Sequence, residues 1–277
     1  MDTDLKFDYH AALKRVNLSQ SSVDLLRDTA NNCELLPKSL TDKQLLLFLS
    51  KCNGDIERSI KFMHRHYEIK RKAPQLFKNR DVTSPEIQQS VENQYFARLP
   101  QTEQDDVVCY HGLANSIPKN YHYNNATACF LMMIENAMSI HGPSRSLVLI
   151  YDMKNFRLGH LTRNNLKSMK AFFAYMQEAM TVDIGDIHIF NTFPSFNLVM
   201  KLISPFLKAE VVKKFHLHSS DVDLEKLHAE SISKSCLPCD SDYGGICDTI
   251  ENLHKEHNNE LLEMKEFFAA ESKQLFE

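Results

Sequence analysis

In residues 4–72 apolar positions recur at helical spacing, Leu45, Leu46, Phe48 and Leu49, then Ile56, Ile60, Met63 and Tyr67, which predicts an all-helical unit over residues 1–75. Asn53-Gly54 suits a helix C-terminus, with Asp55 as the next N-cap. After about residue 106 the period changes. Short β-type runs, VVCYHG (107–112), SLVLIYD (146–152), DIHIF (186–190) and FHLH (215–218), alternate with helical runs around 126–140 and 162–180. This order predicts an α/β domain over 105–250, a mixed or parallel sheet covered by helices. Leu147 to Tyr151 is apolar on both alternating faces, as in a strand buried on both sides. Residues 76–104, with Pro85 and Pro100, read as a connector containing a short helix, and 251–277 as a charged C-terminal helix.

The segment Asp186 to Leu207, DIHIFNTFPSFNLVMKLISPFL, holds one acid and one lysine. Projected as a helix at about 100° per residue, Phe196, Val199, Met200, Ile203, Phe206 and Leu207 share one side. Leu198, Leu202 and Pro205 fall near the other, leaving a narrow polar stripe of Asn197, Lys201, Ser204 and Lys208. A helix apolar on two sides needs two apolar partners. Phe193-Pro194 breaks the chain before it and Pro205 weakens its end, so the element is expected to act as a mobile lid. Its inner partner is then a ligand pocket and its outer partner a membrane.

Composition narrows the classes. The formal charge is −4, so the chain as a whole lacks the excess of cations that nucleic acid demands. There is no basic-then-apolar leader and no apolar run of about 18 residues, which points to a cytoplasmic address. The 7 cysteines are odd in number and scattered, so they are expected to be reduced thiols. Cys236 and Cys239 have dithiol spacing, and His64/His66 and His216/His218 form two HxH pairs, but a second CxxC is missing. No metal and no cofactor is expected. No GxGxxG, phosphate loop or GxSxG elbow occurs. Eight of 11 methionines lie between 132 and 200, among Phe130, Phe172, Phe173, Phe190, Phe193 and Phe196. That excess fits either an adaptable core or a soft cavity for an apolar ligand.

The runs Leu147 to Asp152, Ile187 to Asn191, Ile203-Ser204-Pro205-Phe206-Leu207 and Leu237-Pro238 with Tyr243-Gly244-Gly245 together resemble the CRAL-TRIO lipid-binding family. Leu46 to Leu49 with Asp55 to Ile60 is similar to that family's helical N-terminal module, and the tocopherol- and retinaldehyde-binding branch is nearest in character. The resemblance implies a carrier, not an enzyme, that encloses one small hydrophobic molecule beneath a lid, touches membranes transiently and works as a monomer. It implies a pocket lined by Cys129, Phe130, Met133, Leu147, Leu149, Tyr151, Phe172, Tyr175, Met176, Met180, Ile187, Phe193, Phe196, Met200, Ile203 and Leu207. Membrane contact is expected at Leu198, Lys201, Leu202, Pro205, Phe206 and Lys208. Where phosphoinositide-responsive relatives carry basic residues this chain has Asp183, Gly185 and Glu210, with Lys214 the one remaining candidate for an anionic lipid.

An uncharged pocket favours a retinoid, carotenoid, tocopherol, sterol or other terpenoid over a phospholipid headgroup. The alternative is a phosphatidylinositol- or phospholipid-binding regulator on the same fold.

Overall fold

The computed structural model describes residues 4–276. Four helices open the chain, α1 (Tyr9–Arg15), α2 (Gln20–Asn31), α3 (Asp42–Lys51) and α4 (Ile56–Lys72). Asn53 and Gly54 take φ of 55° and 81° between α3 and α4. A Cβ on Gly54 would meet Leu18 at 2.9 Å, so both the conformation and the space require glycine. The Asp55 side chain then accepts from the Arg58 N–H and caps α4.

Two short helices, α5 (Pro74–Phe77) and α6 (Pro85–Asn93), lead into β1 (Gln94–Leu99). This strand corrects the reading of 76–104 as a connector with only a helix. Its sequence, QYFARL, carries no alternation, because Phe96, Ala97 and Leu99 are all fully buried. The remaining elements are β2 (Val107–Leu113), α7 (Tyr123–His141), β3 (Leu147–Asp152), α8 (Leu166–Glu178), β4 (Ile184–Thr192), α9 (Phe196–Ile203), α10 (Ala209–Val212), β5 (Phe215–Ser219), α11 (Leu224–Glu230), α12 (Ile250–Glu263) and α13 (Lys265–Phe276).

The sheet runs β1-β2-β3-β4-β5, with β1 antiparallel to β2 and the other pairs parallel. Its two faces are covered differently. Val107, Cys109, Leu147, Leu149, Ile187 and Ile189 join the core formed with α7 and α8. Val108, Tyr110, Val148, Ile150 and Phe190 join a second cluster with Leu227, Leu237, Tyr243 and Ile250. Burial of β3 on both sides follows.

The single C-terminal helix expected from the sequence is divided at Met264, which is buried. α12 lies along the edge strand, where the Phe96 N–H donates to His254 Nδ1 at 3.0 Å and Arg98 pairs with Glu260 at 2.6 Å. α13 is fastened by a buried charge cluster. The Lys70 Nζ lies 2.7 Å from Glu135 and 2.5 Å from Glu271, and Arg80 bonds both carboxylates.

Candidate ligand cavity

A cavity of about 230 Å³ lies between the first face of the sheet and the elements that cross it. The strands contribute His111, Leu149, Tyr151, Ile187, Ile189 and Phe215. Ala126, Thr127 and Phe130 come from α7, and Met169, Phe172, Phe173 and Met176 from α8. Phe196, Val199, Leu202, Ile203 and Leu207 close it from α9 and the turn that follows. Asn191 begins this closing segment with φ of 54°, and its side chain donates to Asp152 at 2.8 Å. At the other end Gln177 donates to the Phe206 carbonyl at 2.9 Å and accepts from the Lys208 N–H at 2.7 Å.

Of the residues expected at the pocket, Phe130, Leu149, Tyr151, Phe172, Met176, Ile187, Phe196, Ile203 and Leu207 border this cavity. Cys129, Met133 and Leu147 do not: they are buried in the surrounding core. α7 is buried almost all round, so its composition does not mark which face meets the cavity. Tyr175 and Met180 border a second, smaller cavity of about 70 Å³ beside Lys70, Glu135 and Glu271. Phe193 stacks on Phe156 at 5.8 Å and Met200 packs sideways on the core, neither bordering the cavity.

Leu202, placed on the outer side by the projection, faces inward. Relative to the projected orientation α9 is turned so that Leu202 joins Phe196, Val199 and Ile203 on the inner side and Met200 is set aside. Phe206 is also drawn in, its ring 6.0 Å from Phe173 and 8° from parallel. Leu198, Lys201, Pro205 and Lys208 are exposed. Lys214 does not present its charge outward, since its Nζ donates to the Ile184 carbonyl.

The residues missed in the sequence are mostly polar or lie in turns: His111, Tyr121, Tyr123, Thr127, Phe156 and His160. Tyr121, Phe156 and His160 lie in or beside the 3-10 turns Pro118–Asn120 and Leu158–Arg163, which have no amphipathic period, whereas His111 is on β2 and Tyr123 and Thr127 are at the start of α7, which is apolar almost all round. Burial pushes His111 down to about 4, leaving it neutral. Its Nε2 lies 3.0 Å from Gln94 Oε1, and the Gln94 amide is oriented by donating to Ser90 at 3.3 Å, so Nε2 carries the proton and Nδ1 is an acceptor. Burial raises Tyr121, Tyr123 and Tyr151 above the ordinary phenol range, and they remain hydroxyl groups. Among the described residues the Tyr121 and Tyr151 hydroxyls have no hydrogen-bond partner, unlike the Asp152 carboxylate. That carboxylate accepts from Tyr110 at 3.1 Å, Tyr243 at 2.7 Å, Asn191 at 2.8 Å and the Lys154 N–H at 2.8 Å. Among the described residues no Lys or Arg lines the cavity.

On the far face His188 Nδ1 lies 3.0 Å from His218 Nε2, and His216 stacks on His188 at 4.9 Å. Cys236 is buried whereas Cys239 is exposed. Among the described residues no three His, Cys, Asp or Glu side chains are grouped to hold a metal.

A family model described as the CRAL/TRIO domain matches residues 93–245, and one described as a Pinta-like UBA domain matches residues 16–87. Proteins named alpha-tocopherol transfer protein-like, from Homo sapiens and from Pongo abelii, are each 26% identical over 235 residues, covering 84% of this chain and 66% of theirs. The Mus musculus protein of that name is 28% identical over 253 residues, covering 90% of this chain and 71% of its own. The chain thus spans about two thirds of the length of the first two, 66%. The crystal structure of Sfh5 superposes with a TM-score of 0.49 at 12% identity, covering 79% of this chain and 77% of that one.

Proposed function

As the chain belongs to the CRAL/TRIO domain family, we propose that it is an intracellular carrier that encloses one small neutral hydrophobic molecule, a retinoid, carotenoid, tocopherol, sterol or other terpenoid, and exchanges it at membranes. The observation that carries this reading is the charge state of the cavity wall. Among the described residues it has no Lys or Arg, and its one carboxylate, Asp152, already accepts four hydrogen bonds. A ligand carboxylate or phosphate would be buried there without a counterion, which is costly. A hydroxyl or carbonyl has partners in Tyr121, Tyr151 and His111 Nδ1. The name of the curated relatives, alpha-tocopherol transfer protein-like, agrees with a ligand of this class.

Affinity in this reading comes from apolar burial, about 25 cal/mol per Å² removed from water, so an uncharged ligand of a few hundred Å² is held without ionic contacts. Release requires the 193–207 segment to swing away from the cavity. It is short, ends in a 3-10 turn at Pro205, and exposes Leu198 and Lys201 to the outside. Contact of that outer side with headgroups would offset the cost of opening. Among the described residues no helix is long and apolar enough to cross a membrane.

The test is organic extraction of the purified protein followed by mass spectrometry, alongside a Met176→Arg variant checked for folding. One apolar compound near one equivalent, lost in the variant, is the expected result. Phospholipid as the sole extracted species would favour the phospholipid-binding regulator, and intact loading of a folded Met176→Arg protein would remove this cavity from the mechanism.

A further inference from the structure

Charge is distributed unevenly about the cavity. The three stretches that supply most of its wall, residues 107–134, 153–177 and 187–209, contain no Asp or Glu and eight Lys or Arg. All 36 acidic side chains lie in the rest of the chain, against 24 of its 32 basic ones. A protein of net charge −4 therefore carries a cationic face around one opening.

Six of those eight cations are also free to act outward, whereas Lys154 pairs with Asp242 at 2.7 Å and Lys208 lies 3.8 Å from Glu178. Lys119, Arg163, Lys167, Lys170 and Lys201 are exposed and, among the described residues, have no carboxylate partner. Arg157 is exposed and donates only to the carbonyls of Lys154 and Phe156. Apolar side chains are interleaved with them: Ile117, Leu158 and Leu166 are 45%, 46% and 60% exposed. The same short stretches turn Tyr121, Phe156, His160 and Leu161 into the cavity. They form one surface, because Gly159 packs so closely that a Cβ would meet Pro118 at 2.9 Å, and Phe156 stacks on Phe193 of the closing segment.

We propose that this face, built on 117–120, 157–170 and the outer side of α9, is a docking surface for an anionic lipid bilayer. The proposal rests on the carrier reading and extends its membrane contact from the lid to the opposite wall. Exposed apolar tips flanked by unpaired cations suit an interfacial surface, where tips enter the headgroup layer and cations meet phosphate and carboxylate. The acidic remainder of the molecule is repelled, so long-range attraction orients the opening toward the membrane before contact.

The test is flotation of the full chain with vesicles of phosphatidylcholine alone and with about a third of phosphatidylserine, at low and physiological salt. Partition should rise about tenfold or more with the anionic lipid and fall with salt. Lys167→Glu/Lys170→Glu should reverse most of that gain, and Leu158→Ser/Leu166→Ser should lower partition severalfold while keeping the salt dependence. Lys234→Glu/Lys255→Glu, which changes the same charge outside these stretches, should bind as the parent does. Equal partition to both vesicle types, or equal loss in the control pair, overturns the surface. Ligand loading is measured on the same preparations: intact loading without anionic dependence removes the surface and leaves the carrier. Anionic dependence with no loading does the reverse.

Discussion

The backbone N–H of Lys208 donates to the side-chain oxygen of Gln177 at 2.7 Å, across the gap between α8 and the end of the segment that closes the cavity. The Gln177 side-chain Nε2 in turn donates to the Phe206 carbonyl at 2.9 Å, so one side chain fixes the peptide on both sides of Leu207. Gln177→Ala removes two bonds worth about 1 kcal/mol each. Faster deuterium exchange over 204–210 and a severalfold higher ligand release rate are expected, with little change in global stability. Unchanged exchange would shift the closure to the Phe173–Phe206 stack.

Tyr151 presents a hydroxyl with no hydrogen-bond partner among the described residues, on the cavity side of β3. Tyr151→Phe should leave the fold intact and weaken an alcohol or carbonyl ligand by about 1 kcal/mol, roughly fivefold, while barely affecting its hydrocarbon analogue. Competition between retinol and its hydrocarbon counterpart, read by fluorescence, checks this. Equal loss for both would mean that the ring, not the hydroxyl, makes the contact.

Burial, aided by neighbouring positive charge, pushes His66 and His188 to about 3, and burial first pushes His111 and His141 to about 4. Above the ordinary value of about 6.5 both folded and unfolded chains hold these rings neutral. Below it the unfolded chain takes up protons that the folded chain refuses, so stability is lost steadily as pH falls from about 6.5 toward 4. Glu135 and Glu260 add a later loss: burial raises them but their ion pairs prevail and hold each at about 2. Urea midpoints should therefore drop between pH 7.5 and pH 5 and drop again below about 4.5. A flat profile over the first interval would contradict the neutral, buried histidines.

Glu271 joins α13 to Lys70 and Arg80, whose side chains are buried. Glu271→Ala leaves two cations against the single carboxylate of Glu135 and should cost about 3–5 kcal/mol. Denaturant unfolding of the variant measures it, and because the pair is shielded from water the loss should be nearly independent of salt. A loss under about 1 kcal/mol would mean that α13 is held by apolar contacts such as Phe268 instead.

By itself the sequence determined the features whose cause is local. The Asn53-Gly54-Asp55 break, the apolar runs of β2 to β5 and the two-sided apolarity of 196–207 are set by φ preference, capping and hydrophobic period, and each is present in the fold. Nine of the sixteen residues expected at the pocket border the cavity for that reason, since Leu149, Met176, Phe196 and their neighbours lie on predicted faces, but they make up less than a third of its wall. Tertiary structure decided what depends on a partner remote in sequence. β1 exists as a strand because β2 and α12 flank it, although QYFARL has no strand period of its own. Leu202 faces inward and Met133 is core because α9 and α7 are apolar around most of their surface, so only packing selects the side that meets the cavity. Tyr121 and His160 arrive in or beside 3-10 turns without period, whereas His111 and Tyr151 stand on β2 and β3, where nothing in the apolar runs marks a polar group as facing a cavity. Periodicity states that a face must be covered; it does not state by what, and that choice is made by long-range contacts alone.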